Sequence, residues 1–239
     1  MYCSGSSPSV VRGLSTLGGV FKGVKFSALE SKGESTLGPQ YDVTVITLHP
    51  GTQSKALAIL KDTLVNSSGL LACWYSEIGA LNQILIVRAS NDPLVAIASR
   101  METLTSGNPY GVGEWMTGMS MDTYVAFDFL PPIKPGKYGP YYEVRTYMLN
   151  TDGLAPTVEL WRKAVPARST VSPLLVAMTS VTGTVTRFMH IWPYSSLDER
   201  MRLREKAVDD GVWPPPGGPA YLASQQSDIY LPATFSPLH

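Results

Sequence analysis

The chain has 239 residues, 44% of them hydrophobic, with 19 basic and 19 acidic side chains and a mean hydropathy of +0.03. That length holds two domains able to bury their cores unaided, and balanced charge leaves no net field to recruit nucleic acid or an anionic membrane, so neither is expected as a partner. The two cysteines, Cys3 and Cys73, argue against a disulfide framework or a structural metal; no cofactor motif is present, and no 18-residue apolar run exists to span a bilayer.

Residues 1–40 are rich in Gly and Ser and lack sustained periodicity, which predicts a tail outside the folded body. Arg12, Lys22 and Lys25 precede the first acid, Glu30, and serines are frequent, so the segment resembles a mitochondrial presequence. A cytoplasmic location is the leading expectation and a mitochondrial one the alternative.

Residues 41–132 read as a first domain. Asp42 to Leu48 alternates as a strand, Pro50-Gly51 turns the chain, and Gln53 to Val65 places Ala56, Leu60 and Leu64 on one helical stripe beside Ile59. Leu70 to Ser76 and Asn82 to Val87 form a hairpin through Gly79. Asp92-Pro93 then opens a helix, because Asp caps free amides and Pro suits the first helical position, and Leu94, Ile97, Met101 and Leu104 follow at helical spacing. Thr123 to Leu130 closes the domain. Residues 133–140 are a linker by composition.

Residues 141–239 repeat the order: a strand from Tyr142 to Leu149, a helix from Leu154 to Val165, a hairpin around Gly183, and a helix whose start at Ser196 has Glu199 three residues on as a capping box. Asp210 to Pro219, with three consecutive prolines, is irregular. The repetition extends to identities. Ser68, Leu70, Leu71, Ser76 and Gly79 recur without a gap as Ser172, Leu174, Leu175, Ser180 and Gly183, 104 residues on, while Asp122, Tyr124, Phe129 and Pro131 recur as Asp228, Tyr230, Phe235 and Pro237 at a spacing of 106. A period near one hundred fits a duplicated small domain. The order βαββαβ is the ferredoxin-like plan, an antiparallel sheet covered by helices on one face. The expected fold is therefore α+β, two tandem ferredoxin-like domains packed sheet to sheet as an intrachain α/β barrel around a hollow interior.

Tyr142-Glu-Val-Arg-Thr-Tyr147, the run from Gly183 to Tyr194 containing His190, Trp192 and Tyr194, and Ser196 to Arg200 together resemble the NIPSNAP family, and the likeness extends over roughly residues 41–239. The family pieces are divided between the halves: Pro50-Gly51 and Gly79-Ala-Leu-Asn82 lie in the first, Glu143, Arg145, His190, Trp192 and Tyr194 in the second. The first half has Asp42, Thr44, Ile86 and Arg88 where the second has Glu143, Arg145, His190 and Trp192, which favours one asymmetric site over two equivalent ones. The resemblance implies a dimeric α/β-barrel arrangement. It links the chain to mitochondria, vesicle traffic and mitophagy with no agreed reaction, while related barrel superfamilies include oxygenases and isomerases.

Period two puts Glu143, Arg145 and Tyr147 on one strand face and Thr186, Phe188, His190 and Trp192 on one face of another. With apolar Val144 assigned to the helix side, the charged set would look into the inter-sheet interior. There Arg145 and Glu143 could hold a small anion or enolate while His190 moves a proton, with Tyr147, Trp192, Tyr194 and Asn82 binding the ligand. The competing reading is a Glu143–Arg145 ion pair that fixes sheet pairing beside an inert His190, and aromatics that are core. His49 reads as exposed. Arg200, Arg202, Arg204 and Lys206, interleaved with acids, read as a solvated helix face. The leading expectation is a non-catalytic ligand-binding or protein-interaction module whose small-molecule or protein partner the residues do not identify, with a homo-oligomer as a possible assembly. The alternative is a cofactor-independent enzyme working between the sheets.

Overall fold

The computed structural model describes residues 40–239; the tail and presequence readings of residues 1–39 lie outside them. The elements run β1 (Gln40–Leu48), α1 (Gln53–Leu64), β2 (Leu70–Ile78), β3 (Gln83–Ser90), α2 (Pro93–Thr105), β4 (Met116–Ala126), β5 (Tyr141–Leu149), α3 (Leu154–Val171), β6 (Val176–Ser180), β7 (Arg187–Tyr194), α4 (Leu197–Asp209) and β8 (Leu222–Pro232). The helix starts follow from their caps. Asp92 accepts a hydrogen bond from the Leu94 amide at 2.8 Å and Pro93 opens α2; Ser196 accepts from the Glu199 amide at 3.0 Å, while the Glu199 carboxylate reaches back to the Ser195 amide and hydroxyl at 2.6 Å each.

All eight strands hydrogen-bond antiparallel into one closed barrel in the order β1-β3-β2-β8-β5-β7-β6-β4. Each half contributes four consecutive strands, and closure comes from the β2–β8 and β4–β6 ladders, so no strand edge is left unpaired. The seams are locked by parts of opposite halves. The Asp228 carboxylate on β8 accepts from the Ala80 amide at 3.0 Å and lies against Gly79, and Asp122 on β4 lies against Gly183. These two aspartate–glycine pairs are the same residues that the 104- and 106-residue spacings picked out, each hairpin glycine meeting the other half's aspartate. The main chain repeats too: the Leu48 amide donates to Asn82 O at 2.8 Å and the Leu149 amide to Thr186 O at 2.9 Å.

The barrel interior is packed, not hollow. Tyr41 and Val43 (β1), Trp74 (β2), Leu85 and Val87 (β3), Tyr124 (β4), Tyr142 and Val144 (β5), Met178 (β6), Met189 and Ile191 (β7) and Tyr230 (β8) form one buried cluster, with Trp74 stacked on Tyr142 at 4.1 Å between ring centres. An eight-stranded barrel is only wide enough to be filled by side chains, and five large aromatics complete the filling. The expectation of an inter-sheet cavity is therefore corrected. So is the facing of β5: Val144 points into the barrel, and Glu143, Arg145 and Tyr147 point outward beneath α3 and α4. The interior excludes water from every side and takes the uncharged set with Tyr142 and Val144, whereas the charged set finds partners on a helix.

Two outer clusters hold the helices. Ala56, Leu60 and Leu64 of α1 pack on Ile46, Cys73, Ile84 and Ile86; Trp161 and Val165 of α3 pack on Tyr147, Phe188, Trp192 and Tyr194. Burial pushes the Cys73 thiol up to about 12, so it is an inert core residue. Helix α2 is different: no residue of it is buried, and Leu94, Ile97, Met101 and Leu104 face outward. Among the described residues no helix is long and apolar enough to cross a membrane, and no group of three or more His, Cys, Asp or Glu could hold a metal ion.

Candidate functional site

Glu143 is a charged residue with no solvent exposure at all. Burial alone would push its carboxyl pKa up, but the donors around it outweigh that cost and hold it below the ordinary carboxylate range. Arg200 Nη2 donates to Oε1 at 2.5 Å, the Ser227 hydroxyl donates at 2.7 Å, Arg145 Nη1 stands at 3.4 Å, and Arg204 Nη1 lies 3.6 Å from Oε2. The Tyr194 hydroxyl adds a long contact at 3.5 Å. Arg200 and Arg204 are four apart on α4, so a single helix face delivers both guanidiniums. Those two positions were expected on a solvated face; they instead cover the outer surface of β5, because Glu143 gives them an otherwise unpaired buried charge to meet.

One carboxylate thus faces three guanidiniums. A fourth, Arg168 on α3, is 2% exposed and forms no ion pair among the described residues; it lies over the rings of Trp192 at 4.5 Å and Trp213 at 5.9 Å. Burial, and then the charges of neighbouring arginines, lowers the pKa of both Arg168 and Arg204. The region therefore holds a surplus of positive charge, buried at Arg168 and partly exposed at Arg145, Arg200 and Arg204.

His190 sits among Tyr147, Trp161, Phe188 and Trp192. The Trp192 Nε1–H donates to its Nδ1 at 2.6 Å, which leaves the proton of the neutral ring on Nε2, and that nitrogen is buried without a partner. Burial first, then the charges of Arg145, Arg204 and Arg168, hold its pKa well below the ordinary histidine value. His190 pairs directly across from Arg145 in the β5–β7 ladder, yet its imidazole reaches neither Glu143 nor Arg145 by a hydrogen bond.

Beside this cluster lies a cleft of about 240 Å³ lined by Arg145, Tyr147, Trp161, Arg204, Trp213 and the proline loop from Pro214 to Pro219, with Thr157, Val208, Gly218, Leu222 and Gln225 completing the wall. Arg145 Nε and Thr157 Oγ1 are buried there without partners. The loop called irregular from its prolines is thus one side of a binding-sized recess, and Trp161 and Trp213 are lining residues that strand periodicity did not single out. Trp192 and Tyr194 stand behind the wall, holding His190 and Glu143. Asn82 is elsewhere, on the β2–β3 turn at a positive φ of 58°, and does not line the cleft.

The equivalent place in the first half is a larger cleft of about 410 Å³ beneath α2, lined by Asp42, Thr44, Ser68, Arg88, Ser99, Arg100 and Tyr110 among others. There Arg100 Nη2 donates to Asp42 at 2.9 Å and to Thr123 at 2.8 Å. Asp42–Arg100 thus stands where Glu143–Arg204 stands in the second half, but with Thr44 and Ile86 in place of Arg145 and His190 there is no charge surplus. The two halves carry one carboxylate–arginine frame, and in the second the recess beside it is lined by two arginines, Arg145 and Arg204, and no carboxylate.

Residues 142–237 match the family model described as NIPSNAP. Over 194 residues the chain is 23% identical to the protein NipSnap of Drosophila melanogaster, an alignment covering 76% of this chain and 69% of that one. Among solved structures it is similar to an anthrone oxidase-like protein, at 14% identity with a TM-score of 0.56, covering 82% of this chain and 91% of that one. It is also similar to a candidate monooxygenase from Lactobacillus acidophilus, at 6% identity with a TM-score of 0.58 and coverage of 81% and 93%. Both likenesses concern the mixed α/β fold alone.

Proposed function

We propose that the chain, whose residues 142–237 match the NIPSNAP model, is a duplicated pair of ferredoxin-like units, 41–132 and 141–239 joined through 133–140, that binds a compact aromatic anion in the cleft between β5, α3, α4 and the proline loop. The observation that carries this reading is the surplus of guanidinium charge on an aromatic wall: Glu143 offsets one of Arg145, Arg200 and Arg204, and Arg204 is its most distant partner at 3.6 Å. Arg145 and Arg204 take the carboxylate or phenolate, because a guanidinium in a partly dry recess gains more from an anion than from water. Tyr147, Trp161 and Trp213 pack against the ring, and the volume suits a bicyclic acid. His190 serves as a buried prop for Trp192, not as an acid or base.

Calorimetry with 1-naphthoate and its uncharged amide tests this. The acid should bind about tenfold or more tighter than the amide, the gain of one charge-assisted contact. Arg204→Met should erase the difference while leaving the Tm near that of the parent. Equal binding of acid and amide, or no heat from either, would refute the assignment.

A second reading, a cofactor-independent oxygenase, draws on the fold shared with the anthrone oxidase-like protein and on the unpartnered Nε2–H of His190. It predicts O2 uptake with anthrone, giving anthraquinone and water, that is lost in His190→Phe. Uptake no faster than the uncatalysed background removes it.

A further inference from the structure

Helix α2 is amphipathic the wrong way round for a monomer. It turns Ser99, Arg100 and Thr103 toward the sheet, where Arg88 Nη1 meets the Ser99 hydroxyl at 3.4 Å and Arg100 pairs with Asp42. Its apolar residues go outward: Leu94 is 75% exposed, Val95 64%, Ile97 56%, Met101 52% and Leu104 51%. Residues 94, 97, 101 and 104 have the 3-4-3 spacing of a coiled-coil seam and form a continuous stripe about 15 Å long. A soluble helix ordinarily puts that stripe against its own core. Here the sheet beneath offers Asp42, Thr44 and Arg88, so the polar face went under and the apolar face was left outside.

We propose that this stripe packs against the same stripe of a second copy, antiparallel about a twofold axis. The spacing is a palindrome: in that register Leu94 meets Leu104 of the second copy and Ile97 meets Met101, and the twofold repeats both contacts, as an isologous interface requires. Ala98, exposed and small, lets the helices approach closely. Charge permits the pairing as well. Arg100 and Glu102 are the two charged residues of α2; Arg100 is turned under to Asp42, and Glu102 falls opposite Ala96, so no like charges meet. The four side chains of the stripe present roughly 400 Å² per copy, so two copies cover about 800 Å², and the flanking loops supply the rest of the roughly 1,000 Å² that a specific interface needs. The dimer would leave the cleft beside α4 open, because that cleft is built by the other half.

Sedimentation equilibrium of the full chain from about 1 to 100 μM tests this, with the Ile97→Glu/Met101→Glu variant as the probe. A dimer is expected for the parent. Because two carboxylates per copy would be buried without partners, the variant should dissociate at least about 100-fold more readily, and since both positions are exposed its Tm measured at dilute monomer should match the parent's. A parent that stays monomeric across the range would mean that α2 takes a different occupant, and it would overturn the proposal. So would a variant that associates as the parent does, or one whose monomer melts more than about 5 °C lower, which would show that the stripe is covered by its own chain.

Discussion

Replacing Glu143 by Gln removes one charge from beneath three guanidiniums while keeping the side chain's shape, and it should be the most costly isosteric change in the molecule. Ser227 can still donate to the amide oxygen, so what disappears is the carboxylate's attraction for Arg145, Arg200 and Arg204. Removing one member of a buried ion pair costs roughly 3–5 kcal/mol, because the partners are left desolvated without compensation. Glu143 is fully buried, but the side chains of Arg145, Arg200 and Arg204 are 14, 24 and 36% exposed and can recover some water, which argues for the lower end, about 3 kcal/mol. For a body of this size that is a fall in Tm of about 6–12 °C at pH 7. The pH dependence separates charge from packing. The Glu143 pKa is depressed in the fold, so its contribution is fully present above the unfolded value near 4.5 and is lost as pH falls through the folded value. The gap between parent and variant, followed by calorimetry, should be constant from neutral pH down to the unfolded value and then close on acidification. A loss under about 2 °C at pH 7, or a gap that persists once the parent carboxyl is protonated, would show that Glu143 is not the anchor described here.

Two further outcomes follow from the same packing. His190→Phe should leave the aromatic cluster filled and remove a titration: the imidazole is kept neutral in the fold but protonates near 6.5 when unfolded, so the parent loses about 1.4 kcal/mol of stability per pH unit below 6.5 relative to the variant. Parallel denaturant curves from pH 7 to 5 that never diverge would refute the buried, neutral assignment. Gly183→Ala should destabilise the β4–β6 seam by about 1–3 kcal/mol, since φ is +67° and an added Cβ would collide with the Asp122 carboxylate. A variant within about 0.5 kcal/mol of the parent by denaturant titration would show that the seam does not depend on this contact.

Much of the architecture could be read from residues that act locally. Asp92 and Ser196 mark helix starts because their side chains satisfy amides two and three positions away; the Gly79/Gly183 and Asp122/Asp228 correspondences read as a repeat, and the fold brings each glycine against the other half's aspartate. Thr44 and Ile86, standing where the second half has Arg145 and His190, spoke against two equivalent sites; the two clefts differ in the charges that line them. What could not be read was facing. Strand alternation correctly grouped Glu143 with Arg145 and Tyr147 but assigned them to the interior, because period two states which side chains share a face and says nothing about which face is enclosed. Arg200 and Arg204 were misjudged for the same reason: interleaved charges on a helix look solvated until a buried carboxylate is known to lie beneath them. Trp161 and Trp213 come from a helix and an irregular loop far apart in sequence, so no local pattern could place them on one recess.

The order of strands and helices, and the sets of side chains that share a face, were legible in the residues alone, since these depend on dihedral preference, capping and periodicity within a few residues. That the barrel is filled, that the charged set lies outside it under α4, and that α2 shows its apolar stripe to solvent emerged with the closed fold. Each of those depends on which surface loses water when eight strands close on one another, and desolvation is a property of the closed body that no segment carries alone.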